Sequence, residues 1–374
     1  MKVINTLKYS ILICLMLQLV SCGSTIESLS LKDAFKDDFL IGTALGTEHI
    51  LEKNAVANEL IKREFNSITP ENIMKSEVIH PEQNRYDFTL SDKYVEYGQK
   101  NNKYIVGHTL VWHSQLPKFA QKIKNADSLR AFMTEHINTV AGRYAGKINS
   151  WDVVNEALND DGTMRKSIFF EILGDNYIKE AFDLAAKADP KAALYYNDYN
   201  IEQPAKRAGA IELIKKLKAS GTKIDGVGIQ GHWSLSGASV KEIEDAIVEF
   251  SKLGVKVAFT ELDITVLPNP WELKGADVKQ NFSDYEGDPK MNPYPKALPD
   301  SVQNLLAKRY EDIFKVFLKH KDKISRVTFW GVNDSHSWLN GWPIKGRSNY
   351  PLLFDRDFKA KTAYNAVINL KAKK

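Results

Sequence analysis

Two glutamates, Glu156 and Glu261, each close a short run of apolar and β-branched residues. Two carboxylates placed this way can divide acid and nucleophile work between them. Other chemistry-bearing groups end runs of the same kind: Glu71-Asn72 and Lys75; His108, Trp112 and His113; Asn155; Asn197-Asp198-Tyr199; Gln230 and His232; Asp263; Trp330 and Trp338. Taken singly, a glutamate after a strand is usually a solvated loop residue and a tryptophan is usually core. Their joint placement carries the inference. Amides and acids that bind hydroxyls, planar rings that stack on sugar faces and a pair of carboxylates are what cleavage of a glycoside needs.

Such groups must be brought to one face by the elements beneath them. Short β-branched or apolar runs alternate with longer amphipathic stretches, the pattern of parallel strands joined by helices. The strand candidates are Phe39 to Leu45, Phe65 to Ile68, Tyr104 to His108, Ser150 to Val154, Ala193 to Asn197, Gly226 to Ile229, Val255 to Thr260 and Arg326 to Trp330. Helices are expected between them, among them Ser128 to Tyr144, Pro204 to Ala219 and Val240 to Leu253, with Lys361 to Leu370 last. Pro204 suits a first helical turn and Gly221 a helix end. Eight such units without a GxGxxG or GxxxxGK[ST] phosphate loop favour a closed (β/α)8 TIM barrel over an open doubly wound sheet. In such a barrel the loops after the strands converge at one end, where the chemistry sits.

The chain has 374 residues, 43% hydrophobic and 26% charged, an ordinary globular balance. Lys2 and Lys8 followed by the apolar run Ile11 to Val20 read as a signal segment too short to span a bilayer. Leu19-Val20-Ser21-Cys22 resembles the bacterial lipoprotein signal, in which the cysteine is lipidated and becomes the mature N-terminus. The expected organisation is a signal peptide over 1–21, a short tether over 22–30 and one catalytic barrel over 31–374, exported and held at the membrane by Cys22 or else secreted. Cys14 and Cys22 are the only cysteines, so the mature domain has no internal disulfide and no Cys-ligated metal. Removing Lys2 and Lys8 from the net charge of +4 leaves +2, which argues for no nucleic-acid or acidic partner. A monomer without cofactor or metal is expected.

Seven segments also carry a resemblance. Trp151-Asp152-Val153-Val154-Asn155-Glu156-Ala157 and Phe259-Thr260-Glu261-Leu262-Asp263 are similar to the acid/base and nucleophile segments of family 10 glycoside hydrolases, the xylanases of that family. Thr69 to Lys75, Gly107 to Gln115, Tyr196 to Asn200, Gly228 to His232 and Trp330-Gly331-Val332 match in the family's order, and the resemblance runs from about Leu40 to Tyr364.

The resemblance implies a retaining endo-β-1,4-xylanase acting on xylan and xylo-oligosaccharides. Glu156 would be the acid/base, kept protonated by its surroundings, and Glu261 the nucleophile that forms a covalent glycosyl-enzyme. His232, paired with Asp263, would donate to Glu261, and Asn155 would donate to the sugar 2-hydroxyl. Glu71, Asn72, Lys75, His108, Trp112 and Gln115 would bind sugars on the non-reducing side of the cut. Tyr199, Gln230, Trp330 and Trp338 would line the same groove. Where the family commonly has a basic residue this chain has Asn333, which puts the polar contacts of that loop in question but not the mechanism.

Between Leu267 and Asp300 lie six of the thirteen prolines, with Trp271, Tyr285 and Tyr294. A loop this long after the nucleophile strand either shapes a distal sugar subsite or is an inert insertion. Three rivals stand beside the main reading. A metal-dependent barrel hydrolase would need converging ligands, and no His-x-His or HExxH is present. A β-1,4-glucanase or mannanase of a related barrel family would share the Asn-Glu pair and later Glu. A surface glycan-binding lipoprotein without catalysis would not need both glutamates.

Overall fold

The strands pair all in parallel, and the last hydrogen bonds to the first. In chain order they are β1 (Leu40–Leu45), β2 (Ser67–Pro70), β3 (Tyr104–Trp112), β4 (Ser150–Asn155), β5 (Ala193–Asp198), β6 (Gly226–Ile229), β7 (His232–Ser234), β8 (Lys256–Thr265) and β9 (Ile324–Phe329). β1 pairs with β2 and β9, and β6 pairs with β8. The sheet therefore closes into an eight-stranded parallel barrel, on which β7 is a short extension beside β8. The computed structural model describes residues 29–273, 278, 280 and 282–372. The signal segment, Cys22 and most of the tether lie outside these residues. Among the described residues no helix is long and apolar enough to cross a membrane.

The expected (β/α)8 barrel is thus the observed one, with strand boundaries moved for identifiable reasons. β2 begins at Ser67 rather than Phe65, because Phe65 still bonds back to Ile61 as the end of helix Ala55–Glu64. β8 runs on to Thr265 because its second half pairs with β7. Local signals set the helices. Asn125 caps Ala126–Arg143 by accepting from the Ser128 amide, and Ser239 and Glu242 form a reciprocal capping box on Val240–Ser251. Pro204 opens Pro204–Ala219, and Gly221 follows it at φ +75°.

The barrel interior is filled from its own strands, where Arg326 of β9 reaches Asp152 of β4 and lies over the Tyr195 ring of β5. The layer outside it is packed against the helices, where Trp151 Nε1 donates to Asp189 at the end of helix Asn176–Ala188. Trp151 on β4 is fully buried, and its indole lies where Gly107 of β3 leaves room: a Cβ there would stand 2.1 Å from the ring. Burying a side chain of that size contributes on the order of 2–3 kcal/mol, so an alanine at 107 would cost packing between the strands and the helices outside them. Phe314 and Phe317 of helix Asp300–Lys319 press on Phe329 and Phe259 of the strands, which ties the outer ring to the barrel. The strand ends β2, β3, β4, β5, β6, β8 and β9 then open on one rim.

Candidate active site

At that rim Glu156 follows β4 directly and takes φ +57°, a conformation that costs a non-glycine residue strain unless the surroundings hold it. They do. Its N–H donates to the Asn197 carbonyl at 2.9 Å, and its own carbonyl accepts from Arg165 Nε at 3.0 Å. Its carboxylate accepts from Trp112 Nε1 at 2.8 Å, Gln230 Nε2 at 2.9 Å and Asn155 Nδ2 at 3.2 Å. Burial pushes this carboxyl above its ordinary pKa and the charge on Asp198 adds to the push, while the Gln230 and Trp112 donors oppose it.

Glu261, inside β8, is the counterpart. Its Oε1 accepts from Asn197 Nδ2 at 2.8 Å and its Oε2 faces His232 Nε2 at 3.2 Å. Burial would raise it too, but the His232 hydrogen bond, the rings of His108 and His232 and the Asn197 amide outweigh that and hold it below the usual value. His232 in turn bonds Asp263 Oδ1 through Nδ1 at 2.9 Å. Burial disfavours its charge, yet Asp263 and Glu261 overcome this and raise the ring to about 10. A cationic imidazole therefore sits between two carboxylates.

The pocket around this pair has a volume of about 240 Å³ and is lined by Glu71, Asn72, Lys75, His108, Trp112, Gln115, Asn155, Glu156, Gln230, His232, Glu261, Val278, Trp330 and Trp338. Lys75 donates to Asn72 Oδ1 at 2.8 Å and lies 5.0 Å from the centre of the Trp112 ring. Burial lowers its pKa against the pull of Glu261, Glu71 and Glu156, and raises that of Glu71 against Lys75. His108 is oriented by Asp152, Nδ1 to Oδ2 at 3.0 Å. Fourteen residues from six strand ends thus meet, and all but two of the predicted site residues are among them; the exceptions in the described chain are Tyr199 and Asp263.

These two line the adjoining pocket, which shares His232 and Trp338 with the first and adds Gln203, Asn269, Leu273 and Trp342. Trp338 and Trp342 stack there at 4.6 Å and 17°. Trp338 does more than line the wall, since its Nε1 donates to Asp263 Oδ2 at 2.7 Å and so fixes the carboxylate that orients His232. Asn333 faces neither pocket: buried, it donates to the carbonyls of Asp355 and Arg356 and accepts from Ser335 and His336.

A model of glycosyl hydrolase family 10 matches residues 30–370. The chain belongs to that family. It is 42% identical over 363 residues to endo-1,4-beta-xylanase A of Xylanibacter ruminicola, covering 96% of this chain and 98% of the relative. To the beta-1,4-xylanase of Dictyoglomus thermophilum it is 40% identical, again with 96% and 98% covered. Among solved structures, an endoxylanase of the same family retrieved from a sugarcane soil metagenome superposes with a TM-score of 0.85 at 48% identity, covering 92% of this chain and 99% of that one. Another, a mutant in complex with xylotriose, superposes at 0.80 with 37% identity, covering 91% and 99%.

Two residues of this family 10 hydrolase that matter to the geometry were given no role from sequence, Asn197 standing only among the strand-end groups and Arg165 not at all. Asn197 links the two glutamates: besides bonding Glu261 it donates to Asn155 Oδ1 at 2.9 Å, and its own Oδ1 accepts from Thr260 at 2.6 Å. Arg165 reaches from the loop after β4 to Glu156 O and, through Nη2, to the Tyr199 hydroxyl at 2.7 Å. It connects the second pocket to the backbone of Glu156. The polar Asn-Asp-Tyr triplet at the end of β5 was a signal for the first; nothing in the spacing marks the second.

Proposed function

We propose that this glycoside hydrolase is an endo-β-1,4-xylanase that cleaves internal xylosidic bonds of xylan with retention through a covalent glycosyl-enzyme. The observation that carries the assignment of roles is the opposite displacement of two buried glutamates within one hydrogen-bond network, Glu156 raised and Glu261 lowered. Glu156 protonates the departing glycosidic oxygen, then takes a proton from water in the second step. Glu261 attacks the anomeric carbon, and the His232–Asp263 pair adjusts to its change of charge. Asn155 turns its amide toward the sugar 2-hydroxyl. Glu71, Asn72, Lys75, His108, Trp112 and Gln115 hold the non-reducing side, and Tyr199 with Trp338 and Trp342 the reducing side. The xylanase relatives and the xylotriose-bound neighbour support xylan over cellulose or mannan.

The deciding experiment uses two variants on two substrates. Glu156→Ala loses xylan hydrolysis by about 10²–10⁴-fold but keeps activity on an aryl xylobioside whose leaving group needs no proton. Glu261→Ala loses both and is rescued by azide as the inverted glycosyl azide. Equal loss of both substrates by Glu156→Ala, or a retained azide product, would overturn the roles. Activity undiminished in a chelator distinguishes this reading from metal-assisted hydrolysis. Faster turnover of carboxymethylcellulose or mannan than of xylan would overturn the substrate.

Export and anchoring complete the proposal. Leu19-Val20-Ser21-Cys22 supports export with lipidation at Cys22, which would hold the enzyme at a membrane on the cell surface or periplasmic side. Cells expressing the full chain should incorporate labelled fatty acid into it, and Cys22→Ser should release it in soluble form; no incorporation would leave secretion as the reading.

A further inference from the structure

We infer a transition-metal site where the loops after β1 and β9 meet, built from Glu48, His49 and His336. One ligand atom from each of these three lies within 4.8 Å of the others. Glu48 Oε1 stands 3.4 Å from His49 Nδ1 and 3.7 Å from His336 Nε2. Ligand atoms about 2.1 Å from a tetrahedral zinc ion are separated by about 3.4 Å, close to both of these spacings, and the third separation is at most 4.8 Å.

The hydrogen bonds around the cluster decide what the three atoms offer. Asn333 Nδ2 donates to the carbonyls of Asp355 and Arg356, which makes its Oδ1 the acceptor. That oxygen lies 2.6 Å from His336 Nδ1, so Nδ1 carries the proton and Nε2 turns a lone pair toward Glu48. His49 Nδ1 accepts the Gly46 N–H at 3.1 Å, so it is the unprotonated nitrogen, 3.4 Å from the same carboxylate oxygen, and an ion would take its one lone pair in place of that amide. Three acceptors thus converge in a place where His49 is buried and the other two are reachable from solvent. Acceptors facing one another repel; a divalent cation between them removes the repulsion.

Two imidazoles and one carboxylate suit zinc, nickel, cobalt or copper rather than calcium or magnesium, with water as a fourth ligand. The site is not catalytic. β1 and β9 are neighbours in the barrel, and His336 is followed within two residues by Trp338, which holds Asp263. An ion here pins the β1 loop to the loop that carries Trp338.

The test uses tag-free protein stripped with a chelator and titrated with Zn²⁺ by calorimetry, with Co²⁺ as a spectroscopic probe. One ion per chain is expected, with a raised Tm and with Co²⁺ bands of a four-coordinate nitrogen–oxygen site. The His336 side chain is 33% exposed, and glutamine can keep a polar contact with Asn333, so His336→Gln should fold; it and Glu48→Gln should each weaken binding by at least about a hundredfold. Binding absent at millimolar Zn²⁺ would overturn the site. Binding unchanged in both variants would do so as well, since the ion would then lie elsewhere. A Tm that Zn²⁺ does not move would replace it with a pairing of Glu48 and His336 without an ion.

Discussion

Asn197 donates its side-chain amide to Glu261 Oε1 at 2.8 Å, and its backbone carbonyl accepts the N–H of Glu156 at 2.9 Å. One residue thus spaces the attacking carboxylate from the acid. Asn197→Ala should lower kcat on xylo-oligosaccharides by about 10- to 100-fold, the cost of misplacing a reacting group by a fraction of an ångström to one ångström. It should also move the acid limb of the pH profile upward. The sign follows from the chemistry: Glu261 must be ionised, and losing a donor to its carboxylate makes ionisation harder. An unmoved acid limb in kcat/KM against pH would show that Asn197 does not tune the nucleophile.

The alkaline limb belongs to Glu156, which works protonated, so activity falls as pH rises through its raised pKa. Trp112 Nε1 stabilises the carboxylate form from 2.8 Å. Trp112→Phe should therefore carry the alkaline limb to higher pH, while KM rises from the lost contact with sugar. The measurement is kcat/KM on xylan across the alkaline range. A limb displaced to lower pH would mean that Glu156 does not govern it.

Much of this site was legible because its residues end strands, and parallel strands ending on one rim bring their last residues together whatever the distance in sequence. Glu156, Gln230 and Glu261 met for that reason. The part that was not legible depends on close approach. Asn197 can turn between the glutamates because Gly228 beside it has no side chain: a Cβ there would stand 2.3 Å from Asn197 Oδ1. No periodicity announces such a relation. Tyr199 was expected in the groove of Glu156 but lies in the next pocket, since the chain has already turned out of β5 and Arg165 holds the hydroxyl. Arg165 itself sits in an irregular loop nine residues after Glu156, where spacing carries no signal. For the long loop after β8, Asn269 and Leu273 reach the second pocket and Val278 the first, while Trp271 stands 88% exposed.

Arg165 should act through Glu156. Arg165→Gln removes the hydrogen bond to the Glu156 carbonyl and frees a backbone held at φ +57°. Hydrolysis of xylan, which needs the acid in place, should fall by at least about tenfold, while a dinitrophenyl xylobioside should be cleaved nearly as before. Tyr199→Phe, which removes only the hydroxyl acceptor, should raise KM for longer substrates more than it lowers kcat. Equal loss on both substrates by Arg165→Gln would reduce its part to general support of the loop.

Acid stability rests partly on a histidine far from the chemistry. His136, on helix Ala126–Arg143, is buried against Phe132 and His80, with Nδ1 3.3 Å from His80 Nδ1. Burial pushes its pKa from 6.5 down to about 3, and His80 adds to the shift. The folded state therefore binds this proton only near pH 3, whereas the unfolded chain binds it from 6.5. The contribution is full above 6.5 and is lost as pH falls toward 3, at up to about 1.4 kcal/mol per pH unit. His136→Phe should cost stability at pH 7, because His80 Nδ1 loses its partner, by roughly 1–3 kcal/mol. The same variant should lose less between pH 7 and pH 4.5 than the parent does. Urea unfolding at the two pH values measures the difference, and an equal loss in both proteins would exclude His136 as a source of the acid sensitivity.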